Sequence, residues 1–150
     1  MLQAGAFATI LNERGEVLLC HRRDLDIWNP PGGRVEDGES PWQAVVREIR
    51  EETGVEAEVV RLASVSWKPR RTEVLFQFVC RIVAGELVTT DESDRFAYFP
   101  VERLPERLSP AVRHRLTEWS TRQDQTMLLT DRGPFARKWL AAARFPPDIA

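Results

Sequence analysis

The segment from Ser40 to Gly54 constrains the fold of this chain more than any other, because it carries both a start and a stop signal for a helix. Ser40 is a favourable N-cap residue, a proline suits the first helical position, and Gln43 completes a capping box. Gly54 suits the left-handed conformation with which many helices end. The sequence therefore predicts a helix from Pro41 to Thr53.

One face of this helix is expected to be buried. Its apolar residues recur at the spacing of successive helical turns, as in helices that pack one side against a core. These residues are Trp42, Val45, Val46 and Ile49.

A second face of the helix carries acidic side chains. Glu48, Glu51 and Glu52 stand at positions i, i+3 and i+4, which places their carboxylates side by side. Like charges at this spacing repel by about 0.2–0.5 kcal/mol per pair on an exposed helix. A hard cation removes that conflict, and Mg²⁺ prefers oxygen ligands that it shares with substrate phosphates. Taken alone, the three glutamates favour a solvated acidic face with Arg47 and Arg50 as neighbours over a metal site.

The rest of the chain predicts strands in the middle and helices on the flanks, which is typical of a mixed sheet between α-helices, an α/β (α+β) fold. We expect one domain over residues 1–150, with a C-terminal helical extension at about 109–145. Pro30 to Gly33 is expected to be a sharply turning loop, since prolines and glycines interrupt helices and central strands. Strands are expected at Ala4 to Leu11 and Val17 to His21, paired as a hairpin, and at Val55 to Val65, Val74 to Val83, Leu87 to Thr90 and Phe96 to Phe99. Further helices are expected at Pro110 to Thr121, with Arg113 to Arg115 on its solvent side, and from Gly133 to Ala143.

Composition excludes several classes of partner. The chain has 150 residues and a formal net charge of -2, so bulk electrostatics do not draw it to a nucleic acid duplex. No apolar run approaches 18 residues and no signal-like segment opens the chain, so we expect a cytoplasmic protein without a membrane partner. Cys20 and Cys80 lie within apolar runs, which favours buried free thiols over a disulfide.

A longer pattern surrounds the acidic face. Gly33 is followed after five residues by Glu39, and after seven more by the run Arg47 to Val55, which reads REIREETGV. This pattern resembles the Nudix box, G-x5-E-x7-R-E-U-x-E-E-x-G-U, in which U is apolar, and every specified position matches. The resemblance extends over roughly residues 4 to 107, since Pro31 to Gly33 and the segment Phe99 to Pro105 also look like the family.

The resemblance implies the Nudix fold and Mg²⁺ or Mn²⁺ as cofactor. It also implies attack by water on a phosphorus atom of a nucleoside diphosphate linked to another moiety. By carry-over, the box glutamates, with Glu48 first, and a backbone carbonyl near Gly33 are the metal ligands. Arg47 is implied to orient a glutamate and, with Glu39, to hold the loop against the helix. Gly32 and Gly54 are implied to be structural.

A further carboxylate is often supplied in this family by a loop after the central strands. Glu92 lies six residues before Tyr98, where such a residue commonly falls, and Asp91 and Asp94 compete with it. Glu92 is therefore a candidate metal ligand and catalytic residue. Members of the family use either a box glutamate or a loop glutamate as the general base, and the sequence leaves both open.

The substrate is expected to be a small-molecule nucleotide. Lys68, Arg70 and Arg71 form the densest basic loop of the matched region, and arginine forks suit phosphate oxygens. We expect these residues and Trp67 to contact substrate, with a solvated loop as the alternative. Trp28 favours packing against the sheet over stacking on a base. Monomer and homodimer both remain open.

Two other functions fit the fold. A regulatory module without catalysis typically lacks box carboxylates, whereas all of them are present in this chain. An isomerase of prenyl diphosphates needs an additional cysteine and glutamate in contexts that the sequence does not show. An active pyrophosphohydrolase is therefore the main hypothesis, with nucleoside triphosphates, ADP-ribose and sugar nucleotides all compatible with the box.

Overall fold

A computed structural model describes residues 1–134 and 136–145 of the chain. The elements alternate along the sequence in an order typical of a mixed α/β fold. The strands are β1 (Gln3–Ile10), β2 (Val17–Arg22), β3 (Trp28–Asn29), β4 (Gly32–Arg34), β5 (Glu56–Lys68), β6 (Glu73–Ala84), β7 (Ser93–Phe99) and β8 (Met127–Thr130). The helices are α1 (Pro41–Thr53), α2 (Pro110–Thr121) and α3 (Ala136–Ala142), with a turn of 3₁₀ helix at Val101–Arg103.

Helix α1 begins and ends where the sequence predicts. The Ser40 side chain accepts a hydrogen bond from the Gln43 backbone, the Gln43 side chain accepts one from the Ser40 backbone, and Gly54 adopts a left-handed conformation with φ of 79°. Val45 and Ile49 are fully buried, but Trp42 is 59% exposed, so the expectation that it is buried is wrong. The buried stripe begins two residues later than expected, at Ala44.

The strands form two sheets. A mixed five-stranded sheet has the order β4-β1-β6-β5-β8, and a three-stranded antiparallel sheet has the order β3-β2-β7. Within the larger sheet, β1 is parallel to β6 and β5 is parallel to β8. One face of this sheet packs on α1 through Ala8, Val45 and Phe78. Its other face meets α2 around Ala63 and Leu116. The predicted mixed sheet between helices is confirmed.

The predicted hairpin of the first two strands is wrong. The turn is present, since Gly15 donates to the carbonyl of Asn12, but β1 and β2 are joined only by a bridge between Leu11 and Val17. Beyond that bridge the two strands enter different sheets. Pairing with β6 and β4 occupies both edges of β1, and this pairing is not visible in the local sequence.

Four other elements differ from the expectations. Gly32–Arg34 is a strand at the sheet edge rather than a loop, which is a position where glycine-rich backbone is tolerated. Residues 87–90 form no strand; Val88 instead donates a backbone hydrogen bond of 2.9 Å to Thr53. β7 begins at Ser93, three residues before the strand predicted from Phe96, and β8 was not predicted.

Strand β5 contains two β-bulges in its centre. Val59 pairs with Cys80 and Arg61 with Val79, which leaves Val60 as an extra residue. The same irregularity recurs at Ala63. Bulges increase the local twist of a strand. β5 pairs with β6 on one side and with β8 on the other.

The second helix agrees with its predicted bounds, and Ser109 caps it. Arg115, expected on the solvent side, is only 7% exposed, so that expectation is wrong. The third helix begins at Ala136 rather than at Gly133.

Cys20 and Cys80 are buried free thiols, as expected. Burial raises the pKa of both thiols well above the ordinary range. Among the described residues, none of the helices combines the length and the apolar character that crossing a bilayer requires.

Candidate active site

A cavity of about 490 Å³ lies where α1, β4 and the start of β7 meet. Its wall combines acidic, basic and aromatic side chains from segments that are distant in the sequence. They include Glu48 and Glu52 from α1, Phe7 from β1, Arg22 and Arg23 from the end of β2, Asn29, Gly32 and Gly33, and Asp91 and Glu92 before β7.

Three carboxylates converge on this wall. Each of Glu48, Glu52 and Glu92 contributes one carboxylate oxygen to a group whose members all lie within 4.8 Å of one another. Glu51 is not part of this group: it is exposed, and its carboxylate accepts a hydrogen bond of 3.1 Å from Arg47. The structure therefore brings together two of the three box glutamates and the loop glutamate.

The cluster is electrostatically strained without a counter-ion. Burial, and then the neighbouring charge of Glu48, raises the pKa of Glu52 to about 9, although Gly32 donates a backbone hydrogen bond of 3.2 Å to its Oε2. Burial also raises the pKa of Glu48, and Arg47 partly offsets this effect. Crowded, half-buried carboxylates of this kind match the oxygen ligands that a hard divalent cation prefers.

Arg47 connects the helix to the preceding loop. Its guanidinium donates to both oxygens of Glu39, at 2.7 and 2.9 Å, and to the backbone carbonyl of Arg34 at 3.0 Å. A further nitrogen donates to Glu48 at 3.1 Å. These contacts lower the pKa of Glu39 and raise that of Arg47. The arrangement fixes the orientation of Glu48 while the loop remains attached to α1.

The two glycines of β4 allow the helix to approach the strand. A Cβ atom on Gly33 would lie 2.5 Å from Oε1 of Glu48, and one on Gly32 would lie 2.4 Å from the carbonyl oxygen of Ala6. No other residue type leaves room for both contacts. The absence of side chains at these positions therefore places Glu48 and Glu52 directly against the β4 backbone.

The segment around the start of β7 offers three acids, and the structure distinguishes them. Glu92 belongs to the carboxylate cluster. Asp94 is occupied elsewhere, since its Oδ1 lies 2.6 Å from Nδ1 of the buried His21, which lowers the pKa of Asp94. Asp91 lines the cavity but does not join the cluster.

The basic loop expected to contact substrate lies elsewhere. None of Trp67, Lys68, Arg70 and Arg71 lines the cavity, and Lys68 is 3.8 Å from Asp131 instead. Trp28 packs edge-on between His21 and Phe99, as expected for a structural role.

Sequence reasoning missed the cations that do line the cavity, Arg22 and Arg23. Arg22 forms a two-point ion pair with Asp24, whereas Arg23 donates its Nε to the Thr90 carbonyl at 2.9 Å. In the sequence, only their position at the end of an apolar strand points to them. The pairing of that strand with β7 brings them beside the segment that carries Glu92.

Comparisons with known proteins identify the family. The family model described as the NUDIX domain matches residues 1–120. A protein of Bacillus subtilis (strain 168), named "Putative 8-oxo-dGTP diphosphatase", is 33% identical over 138 residues, which cover 91% of this chain and 93% of that protein. The "ADP-ribose pyrophosphatase" of Methanocaldococcus jannaschii is 34% identical over 107 residues, covering 64% of this chain and 61% of that protein.

The fold is shared with solved structures. A crystal structure of an ADP-ribose pyrophosphatase from Streptococcus suis superposes with a TM-score of 0.71 at 23% identity, covering 87% of this chain and 100% of that chain. At this identity the likeness shows the fold alone. The family match over most of the chain confirms the resemblance carried by the box, and the chain belongs to the Nudix hydrolase family.

Proposed function

We propose that this Nudix hydrolase is a divalent-metal-dependent pyrophosphohydrolase. Its substrate would be a nucleoside diphosphate linked to another moiety, cleaved at the phosphoanhydride bond. The observation that carries the proposal is the convergence of Glu48, Glu52 and Glu92 on the wall of a 490 Å³ cavity. A regulatory module without catalysis would not need to maintain crowded, mutually repelling carboxylates at that place.

The donor set fits Mg²⁺ or Mn²⁺. The three clustered carboxylates would hold the cation, together with a backbone carbonyl near Gly33. We also propose Glu51 as a ligand, because it lies one turn from Glu48 and its bond to Arg47 is exposed to solvent. A cation bound there neutralises phosphate charge and activates water for in-line attack.

The protein's own residues would position the reacting groups. Arg47 holds the carboxylate of Glu48 in place through a hydrogen bond of 3.1 Å. Arg23 has its Nε fixed on a backbone carbonyl, and its remaining nitrogens are free of any described ion pair. It is therefore the side chain best placed to donate to substrate phosphates. Arg22 is shared with Asp24 and would contribute less.

The proposed substrate class is the unit that the named relatives share. One relative's name refers to 8-oxo-dGTP and another's to ADP-ribose, and both compounds contain a nucleoside diphosphate. We propose that the recognised core is this unit and that residues 1–150 form one domain around it. Outside residues 1–120, which the family model matches, the C-terminal extension has no proposed part in the chemical step.

The test is a panel of nucleoside triphosphates, ADP-ribose and sugar nucleotides, assayed with Mg²⁺, with Mn²⁺ and with a chelator. We expect cleavage of at least one compound to a nucleoside monophosphate, with loss of activity in the chelator. Reaction in oxygen-18 water identifies the phosphorus attacked. An absence of metal-dependent cleavage across the panel would contradict the proposal and favour the regulatory alternative.

A further inference from the structure

The imidazole of His21, near the end of β2, lies between two carboxylates. Its Nδ1 is 2.6 Å from Oδ1 of Asp94, and its Nε2 is 2.8 Å from Oδ1 of Asp26. The ring is buried and meets the ring of Trp28 edge-on, with 5.3 Å between the centroids. Ionised carboxylates only accept hydrogen bonds, so a ring held between two of them donates from both nitrogens and carries a positive charge.

The first carboxylate belongs to the segment that carries Glu92. Asp94 follows Glu92 by two residues, and the pairing of β2 with β7 shifts by one residue between His21 and Arg22. This shift leaves Asp94 as the extra residue of a β-bulge in β7. Bulges redirect neighbouring side chains and are frequent beside active sites. The bond from His21 therefore holds the bulge that immediately follows Glu92.

The second carboxylate belongs to the loop between β2 and β3. Asp26 follows Arg23 and Asp24, both of which line the carboxylate cavity. Its φ of 50° lies in the left-handed region, which residues other than glycine adopt infrequently. Contacts of its side chain support this conformation, since one oxygen is bonded to His21 and the other lies 3.3 Å from Arg107. His21 thus also fixes the far end of the loop that carries Arg23.

We propose that His21 is a positioning residue with two separable effects. Its bond to Asp94 holds Glu92 at the carboxylate cluster and so supports cation binding. Its bond to Asp26 holds the loop of Arg23 and so supports binding of the substrate phosphates. The inference rests on the function proposed above, which gives Glu92 and Arg23 these roles. The alternative is that the ring only fills space beside Trp28.

Two substitutions of His21 separate the two bonds. An asparagine amide reaches the position of Nδ1, whereas a glutamine amide reaches that of Nε2, and either amide nitrogen can donate. His21→Asn therefore keeps a donor to Asp94, and His21→Gln keeps a donor to Asp26. Both variants lose the ring, but asparagine leaves the larger void beside Trp28. A role in packing alone therefore predicts that the asparagine variant is the more impaired of the two in every measurement.

Positioning predicts the opposite order for cation binding. With Mn²⁺ and no substrate, measured by titration calorimetry, we expect His21→Gln to bind about tenfold more weakly than wild type, as for residues that hold a metal ligand in place. His21→Asn should stay within about threefold of wild type. In kinetics with Mg²⁺, His21→Asn should raise KM about three- to tenfold with kcat nearly unchanged, and His21→Gln should lower kcat. Equal Mn²⁺ affinities in the two variants, or the weaker affinity in His21→Asn, would overturn the proposal.

Substitutions of Asp94 test the same bond if the His21 variants do not fold. Asp94→Ala and Asp94→Asn both remove the negative charge, but only asparagine keeps an oxygen that accepts from Nδ1. We expect the alanine variant to bind Mn²⁺ about tenfold more weakly than wild type and the asparagine variant to recover part of that loss. Asp124→Ala, on the exposed turn after α2, is the control and should bind as wild type does. Equal losses in the two Asp94 variants would refute a role for the bond.

Hydrogen exchange distinguishes failure of this inference from failure of the proposed function. The backbone amide of Arg23 donates to the carbonyl of Glu92 at 3.1 Å, so its exchange rate reports on the position of Glu92 without metal or substrate. Exchange should be faster in His21→Gln than in His21→Asn. A wild type that binds no Mn²⁺ and cleaves no nucleotide contradicts the proposed function. In that case faster exchange in His21→Gln still supports the positioning of Glu92 by His21, and equal rates refute it.

Discussion

The two basic segments of this chain differ in position more than in composition. Arg22 and Arg23 end β2 and lie at the carboxylate cavity, where the Arg23 backbone donates to the carbonyl of Glu92 at 3.1 Å. The denser cluster, from Lys68 to Arg71, turns between β5 and β6 beside the start of β1, where Gln3 donates to Thr72. The cavity therefore lies beside the less dense of the two basic segments, and the pairing of β2 with β7 places that segment there.

The largest effect should come from the carboxylates that define the cavity. Glu52→Gln is expected to reduce kcat on the order of 10²- to 10³-fold, because it removes a charge that a bound cation requires. The melting temperature of the metal-free variant should rise at neutral pH, since the folded variant no longer has to keep a proton that the unfolded chain releases. Glu86→Gln, on an exposed turn, is the control. Turnover within about threefold of wild type in saturating Mg²⁺ would remove Glu52 from the site.

Glu51→Gln tests whether Glu51 acts as a metal ligand or only as a partner of Arg47. If Glu51 becomes a ligand, its substitution should approach the effect of Glu52→Gln. If it serves only as a partner of Arg47, the loss should be clearly smaller. The ratio of the two kcat values, measured under identical metal concentrations, separates these roles.

The next largest effect is expected at β4. Gly33→Val places side-chain atoms where the Glu48 carboxylate lies, so activity should fall roughly 10- to 100-fold, as for residues that hold a metal ligand in place. Gly33→Ala should show a smaller loss in the same direction. Kinetics and melting temperature are measured together, and a normal result in both for the valine variant would show that the strand and helix do not need this close approach.

The comparison of basic segments is tested directly by Arg23→Ala and Arg70→Ala. We expect Arg23→Ala to raise KM about five- to thirtyfold, equivalent to about 1–2 kcal/mol, with kcat nearly unchanged. Arg70→Ala should change KM less than about twofold. The reverse order would return the phosphate site to the turn between β5 and β6.

The smallest effect concerns pH. In metal-free protein the pKa of Glu52 is about 9, above its ordinary value of 4.5. Between these two pH values the folded protein therefore keeps a proton on Glu52 that the unfolded chain releases. Stability should therefore fall as the pH rises from about 5 to 9. A decrease in melting temperature of at least about 2–4 °C is expected, the shift that about 1 kcal/mol produces at this chain length. Glu52→Gln should lose most of this dependence, and a slope equal to that of wild type would assign it to other groups.

The sequence predicts α1 to the residue because its signals are local. Ser40, Gln43 and Gly54 interact within a few positions of the ends that they define. The box also predicts which residues come together, since Glu48 and Glu52 are fixed by helical spacing. That Glu92 reaches them, and that Asp94 is held by His21 instead, depends on the pairing of β2 with β7.

The features that the sequence did not predict also have physical causes. The division into two sheets arises from pairing between β1 and β6, which are separated by most of the domain. Arg115 resembles a solvent-facing residue because a charged side chain between His114 and Leu116 carries no sign of burial. Only the packing of α2 on the sheet reveals it.

The bulges of β5 determine where the chain tolerates a change in length. Val59 and Arg61 pair with Cys80 and Val79, whose side chains belong to opposite core clusters, and Val60 between them is 55% exposed. Deleting Val60 would convert the bulge into regular pairing and leave every other residue of the strand with its present partner. Deleting one residue between Ser64 and Lys68 would instead shift the register and exchange the two faces of the strand. A loss of one codon is thus nearly neutral at one point of this strand and disruptive five residues later.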